Sequence, residues 1–380
     1  MFEIKNYIWD FDGMLFDSYP HITSAFLKTL EEFGKTADYD EAKALLEVSF
    51  ATAYEAYGVS DEEKAVFQKY EHTYSLRPIA LPFENTVRTL EAIVKSGKKN
   101  FLYTHRGHES SQHYIKAHGL DKYFTAYVDS SMNFPGKPSP DAVNWICETY
   151  GLDKSETLMI GDREIDVLSG VNAGTFGCLF SKKKNPKTDA DFVISDISQV
   201  LGIEGYKIRK ADIGDVEAVN LIYNELFDLQ ESGKNTTNWH RGVYPTKEVA
   251  ASAAKNGSLY VLEESGGIIA SAIFNREQLD VYGEIDWQFA AEPSEVMVVH
   301  TLCVSPRAAG RGTGRRMIRY LRRLAKENGC KVIRLDTYYG NDPASAMYEG
   351  LGFRYAGSAD TLFQGAIPEK LKFFEYNLYE

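Results

Sequence analysis

Long apolar runs are missing from this 380-residue chain, although 44% of its residues are hydrophobic. No window approaches the roughly 20 apolar residues that a spanning helix needs. The opening stretch "MFEIKNYIWDFDG" has too short and too acid-interrupted an apolar core for a signal peptide. A cytoplasmic protein without a membrane partner is therefore expected. Positive charge is also scarce: 42 Lys and Arg stand against 54 Asp and Glu, a formal net charge of -12. That balance argues against nonspecific binding to nucleic acid or an anionic membrane, and leaves room for a local cationic pocket. Only four cysteines occur, Cys147, Cys178, Cys303 and Cys330, with no paired spacing. They are expected to be buried reduced thiols rather than disulfides or metal ligands. Repeats, low-complexity tracts and a Pro- or Ser-rich tether are absent.

The length suits two domains. From residue 4 to about 205, apolar strand-like runs alternate with amphipathic helical ones, the pattern of a parallel α/β sheet. The strand candidates are "YIW", "NFLY", "AYV", "TLMI", "GCLF" and "DFVI". Several end directly in polar residues or glycine, the sheet edge at which ligands of open α/β folds sit. A helical insertion lies between the first two strands, at about Ile22 to Tyr74. A second α/β pattern starts at "YKIRKADIGDVEAVNLI", which places the boundary near Gly205 and gives domains 1–205 and 206–380.

Asp10 and Asp12 in "YIWDFDGMLFDS" end an apolar strand one residue apart. Alternation puts both carboxylates on one side, where their like charges need a reason to coexist. Further strand ends carry "YTHRG", "FPGKPSPD" and "LMIGDREID". Acid pair, hydroxyl, lysine and acid pair in this order resemble the haloacid dehalogenase superfamily, in its branch of small phosphatases and phosphoglucomutase-like enzymes. The resemblance implies a Rossmann-like core with a mobile helical cap at about 19–80. It makes Asp10 the nucleophile that forms an aspartyl-phosphate, and Asp12 the acid and then the base. Thr104 would hold a phosphoryl oxygen and Lys137 would supply fixed positive charge. Asp10, the Asp12 carbonyl, Asp162 and Asp166 would hold Mg²⁺, a hard cation suited to oxygen ligands. With the metal beside it, Asp10 is expected to stay ionised while Asp12 carries a proton. His105 and Arg106 are read either as contacts to the distal part of a small organic phosphate or as an exposed loop pair. The resemblance departs at Met14, where relatives carry Thr or Val, which raises a question of loop packing.

The second half carries "VMVVHTLCVSPRAAGRGTGRRMIRYLRRLAKENGC", a strand, a glycine-rich turn and a helix. Such a turn aims backbone N–H groups and a helix N-terminus at an anion. Together with "VIRLDTYYGNDPASAMYEGLGF" it resembles the Gcn5-related N-acetyltransferases, with their mixed-sheet α/β fold. By that resemblance Arg311, Gly312, Thr313, Gly314 and Arg315 bind the pyrophosphate of acetyl-CoA, and Asn341 contacts the cofactor. Leu302 and Val304, in a strand from Val298 to Val304, offer backbone groups to the pantetheine arm and the thioester. Tyr348 protonates the departing thiolate. Ala309 stands where the family usually has Gln or Arg. The base for a small amine acceptor is open among Glu284, Asp286, Glu295 and His300. Trp239 and Tyr244 are read equally as acceptor-site or core residues.

The leading expectation is a bifunctional enzyme, a Mg²⁺-dependent phosphomonoesterase joined to an acetyl-CoA-dependent N-acetyltransferase. The alternatives are a catalytically silent regulatory domain serving an active one, and a phosphomutase in the first half. An acyl-carrier loading enzyme fits less well, because it lacks the cap. A homodimer is the oligomer compatible with this reading.

Overall fold

Strand-forming runs buried on both faces need cover on both, and the first unit supplies it with helices. A computed structural model describes residues 3–76, 80–184, 186, 188–233, 237–363, 365 and 367–379, without the side chains of residues 72, 74–76, 363 and 367. It divides the chain into two compact units, residues 2–205 and 206–380.

In the first unit β1 (Asn6–Trp9), β2 (Lys99–Tyr103), β3 (Ala126–Val128), β4 (Thr157–Gly161), β5 (Phe176–Phe180) and β6 (Phe192–Ile194) form one sheet. Its order is β3-β2-β1-β4-β5-β6, with every pairing parallel. Ile8 stands level with Phe101 and Met159, so these side chains share a face. There they bury against Ala142, Val143 and Ile146 of α7 (Asp141–Tyr150). The insertion folds as α1 (Tyr19–Glu32), α2 (Tyr39–Val48), α3 (Phe50–Ala56) and α4 (Asp61–Leu76). Its own core gathers Phe26, Leu30, Leu46 and Phe67, with Phe26 and Phe67 meeting edge-on at 5.5 Å. Residues 77–79 of the expected cap, and the side chains of His72 and Tyr74, lie outside the described residues. Helices α5 (Thr86–Lys95), α6 (His108–Ala117) and α8 (Glu164–Ala173) complete the unit.

The second unit has a mixed sheet in the order β12-β13-β11-β10-β9-β8-β7. Its strands are β7 (Lys207–Lys210), β8 (Leu259–Glu264), β9 (Gly267–Asn275), β10 (Val296–Val304), β11 (Val332–Tyr338), β12 (Arg354–Phe363) and β13 (Ile367–Asn377). Only β10 and β11 pair in parallel. One face is covered by α11 (Thr313–Glu327) through Met317, Ile318, Leu321 and Ala325, and by α12 (Asp342–Gly350) through Tyr348. The other face takes α9 (Val216–Glu231) and α10 (Lys247–Lys255), through residues such as Val219, Tyr223 and Ala250.

The four cysteines are buried and free. Among the described residues no helix is long and apolar enough to cross a membrane.

Candidate active sites

β1 delivers Asp10 at its C-terminal end, where the Asp10 amide donates to the Ile160 carbonyl at 2.8 Å. β4 ends at Gly161, so Asp162 stands beside it, and the first turn of α8 brings Asp166 back toward the same point. Gly161 cannot carry a side chain, because a Cβ there would lie 2.2 Å from the Asp166 Cβ. Gly13 has φ +74°, and its Cβ would stand 2.3 Å from Asp162 Oδ2. Only glycine lets the loop after Asp12 press against that carboxylate. Lys137 is buried, with Nζ 2.5 Å from Asp10 Oδ1 and 2.8 Å from Asp166 Oδ1. One oxygen from each of Asp10, Asp162 and Asp166 lies within 4.8 Å of the others. Thr104 follows β2, and its hydroxyl accepts the Arg106 N–H at 3.0 Å. Met14 is fully buried, so its side chain fills the core beneath the loop.

Three clustered carboxylates share two cations, Lys137 and Arg163, which leaves surplus negative charge. Burial, and then the charge of Asp166, push Asp10 up to about 6 even though Lys137 opposes them. Asp162 is raised well above the carboxylate range by burial and by the charges of Asp166 and Asp10. For Asp166, burial is outweighed by Lys137 and Arg163, which hold its carboxyl low. Asp10 Oδ2 and Asp162 Oδ1 are buried and, among the described residues, accept no hydrogen bond. Two orphaned acceptors within a cluster of hard oxygen donors fit a divalent cation such as Mg²⁺.

Asp12 has different neighbours from Asp10. Burial raises Asp12 less than Arg106 and Ser18 lower it, so its carboxyl lies below the usual range. Arg106 Nη2 is 2.6 Å from Asp12 Oδ1, and the Ser18 hydroxyl donates to the same oxygen at 2.5 Å. Arg106 also donates to Glu71 of α4 at 2.6 Å and to Ser110 at 2.9 Å. It is therefore a buried strut from Asp12 to the insertion rather than an exposed loop residue, and it lines the cavity described next. His105 accepts the Lys137 N–H through Nε2 at 3.0 Å, and burial with the Lys137 charge lowers it to about 4. Neutral at ordinary pH, it holds the lysine loop in place. Above these residues is a cavity of about 760 Å³, with Asp10, Asp12, Thr104 and Arg163 at one end and Phe50, Tyr54 and Phe67 of the insertion at the other.

In the second unit β10 and β11 pair only from Val296–Val332 to Val299–Leu335. Beyond that point they separate, and β10 has a register shift against β9 at which Thr301 takes φ +50°. The opening is a cavity of about 550 Å³ lined by Leu302, Val304, Gly312, Thr313, Gly314, Arg315, Asn341 and Tyr348, among others. Gly310 and Gly312 adopt φ +74° and +77°, and a Cβ on Gly314 would lie 2.9 Å from Met347 Sδ. This tight turn opens α11, whose first N–H groups have no partner within the helix. Asn341 caps α12, accepting the Ala344 N–H at 3.4 Å, and donates to Thr337 Oγ1 at 3.1 Å. Burial and then the Asp336 charge raise the Tyr348 phenol, which keeps it protonated. Arg311 does not line the cavity; its guanidinium is 2.8 Å from Glu264.

Of the expected bases only His300 reaches this cavity. Glu295 is paired with Lys331 at 2.7 Å, and Glu284 and Asp286 lie outside the lining. Trp239 and Tyr244 do line it, with ring centroids 6.3 Å apart. Two carboxylates that sequence reading passed over, Asp336 and Glu369, line it as well. The available signal was the alternation in "VIRLDTY", which places Asp336 on the same strand face as Arg334.

Residues 7–179 match the haloacid dehalogenase-like hydrolase family, and residues 222–353 match the acetyltransferase (GNAT) family. The chain is 26% identical over 219 residues to pyrophosphatase PpaX of Halalkalibacterium halodurans, covering 54% of this chain and 100% of that one. It is 24% identical over 220 residues to phosphoglycolate phosphatase of Vibrio parahaemolyticus, covering 53% and 96%. A hydrolase structure from Streptococcus pneumoniae is 31% identical over 53% of this chain and 100% of its own, with a TM-score of 0.40. The chain thus joins a haloacid dehalogenase-like hydrolase domain to a GNAT-family acetyltransferase domain.

Proposed function

We propose that this chain is a cytoplasmic bifunctional enzyme that hydrolyses a small organic phosphate monoester in its first unit and acetylates a small amine in its second. The observation that supports the first activity most is Lys137 lodged between Asp10 and Asp166, in one cluster with Asp162, with Asp10 lining a cavity shared with the insertion. Asp10 attacks phosphorus, the bond to the leaving oxygen breaks, and Asp12 gives that oxygen a proton. Asp12 then takes a proton from water, whose oxygen attacks the aspartyl-phosphate and releases phosphate. Arg106 must loosen its hold before Asp12 can carry that proton, and Glu71 ties this event to the insertion. Thr104 and Lys137 orient the phosphoryl oxygens. Mg²⁺, held by Asp10, Asp162, Asp166 and the Asp12 carbonyl, would offset negative charge on the phosphoryl group.

In the second unit the turn at 310–315 receives the pyrophosphate of acetyl-CoA, and the free edge of β10 at Leu302 and Val304 receives the pantetheine arm. The amine nitrogen attacks the thioester carbon, the C–S bond breaks, and Tyr348 protonates the thiolate. The test is a phosphate-release screen over small phosphoesters with Mg²⁺, together with thermal shift on acetyl-CoA. Turnover of at least one ester and a shift of several degrees are expected. A chain that releases no phosphate from any ester loses the first assignment, and one unmoved by acetyl-CoA loses the second.

A further inference from the structure

The transferase cavity has two carboxylates in its lining, with the imidazole of His300 near one of them. Across β11 and β13, Asp336 stands level with Phe373 and Tyr338 with Leu371. Cross-strand partners share a face and residues two apart repeat it, so Glu369, Leu371, Phe373 and Asp336 stand on one side of the sheet. Asp336 and Glu369 both line the cavity. Their hydrogen bonds come from neutral donors: Tyr282 OH to Asp336 at 2.8 Å and Asn238 Nδ2 to Glu369 at 3.1 Å. Among the described residues neither carboxylate forms an ion pair. Among the described residues the lining contains one arginine, Arg315, on the glycine turn, one histidine, His300, which opposes the rise that burial imposes on Asp336, and no lysine. Burying a carboxylate beside another without a cation is costly. Burial and the charge of Asp336 accordingly raise Glu369 to about 7. Asp336 is close enough to Tyr348 to raise that phenol too, so the acid pair sits beside the group assigned to the thiolate. Trp239 and Tyr244 supply aromatic walls to the same cavity.

We infer that the acyl acceptor is an aliphatic primary amine without a carboxylate of its own, bound as its ammonium by Asp336 and Glu369, and that Glu369 takes the proton that frees its lone pair. The inference rests on the acetyl-transfer reading of this cavity and names its acceptor class. Glu369 becomes a neutral acid as the ammonium becomes an amine, and the nitrogen forms a bond to the acetyl carbon. The thiolate leaves with the Tyr348 proton, and the tyrosinate recovers one from the new amide nitrogen. Glu369 returns its proton to water. Asp336 stays charged throughout and anchors the amine. An acceptor bearing a carboxylate next to its amine would meet repulsion from both acids.

The experiment uses the full chain with acetyl-CoA and a panel of unbranched alkylamines and diamines, set against α-amino acids. Acetyl-CoA affinity is measured in parallel by calorimetry for the parent, Glu369→Gln and Asp336→Asn. The inference expects acetylation of the amines in preference to the amino acids. It expects Glu369→Gln to lower kcat by about 100-fold, within the range of a general base. It expects Asp336→Asn to raise the KM for the amine about tenfold, with acetyl-CoA affinity within twofold of the parent in both variants. A parent that binds acetyl-CoA but prefers amino acids, acetylates no amine, or keeps its kcat in Glu369→Gln overturns the inference alone. A parent that does not bind acetyl-CoA overturns the transfer reading and the inference with it.

Discussion

The two cavities of this chain handle surplus negative charge in different ways. In the first unit a buried lysine is paired with two carboxylates, a third joins their cluster, and two orphaned oxygens remain for a divalent cation. In the second, two carboxylates face a cavity with aromatic walls and, among the described residues, no lysine, so the inferred counter-charge is the substrate's. The difference teaches that an acid cluster takes its meaning from its neighbours. Lysine and glycine backbones pressed against carboxylates form a fixed phosphoryl site, whereas neutral donors and aromatic rings form a site for an organic cation.

Several experiments sharpen or break that contrast. Asp10→Asn has the largest expected effect, removing the nucleophile and lowering phosphate release by about 10³-fold or more in a coupled phosphate assay. Arg106→Gln breaks the bonds to Asp12 and Glu71 at a residue whose side chain is 3% exposed. Losing one partner of a buried ion pair costs about 3–5 kcal/mol, read as a lower urea midpoint for the first unit. Mg²⁺ added after chelation is expected to stabilise the first unit, by about 2.7 kcal/mol at a hundredfold excess over Kd, and not to stabilise Asp162→Asn. Calorimetry with the metal alone reads this directly. The smallest effect is one of pH. Glu369 acts as base only when ionised, and its raised value of about 7 puts it largely in the acid form below neutrality. Acetyl transfer should therefore climb about tenfold per pH unit up to that point and level off above it, while Glu369→Gln lacks the rise.

Much of the first site was legible because its acids sit at strand ends, where local pattern places them. Asp10 and Asp162 each follow a short apolar strand, and the parallel pairing of those strands brings their ends together. All six segments read as strands in that half are strands. The exposed-loop reading of Arg106 failed because sequence shows its position after β2 but not that its side chain turns back to Asp12. The lowered carboxyl of Asp12 follows largely from that contact. In the second unit the glycine turn and Tyr348 are local features and were visible. Asp336 and Glu369 were not, because they meet only through the register of β11 against β13, which no local pattern encodes.

The central claim is that two independent active sites share one chain. The most direct test measures phosphate release and acetyl transfer on the same preparations of the parent, Asp10→Asn and Tyr348→Phe. The account predicts that Asp10→Asn loses phosphate release and keeps acetyl transfer within twofold, while Tyr348→Phe loses about 100-fold in transfer and keeps phosphate release. A parent lacking either activity, or a variant that loses both while remaining folded, contradicts it.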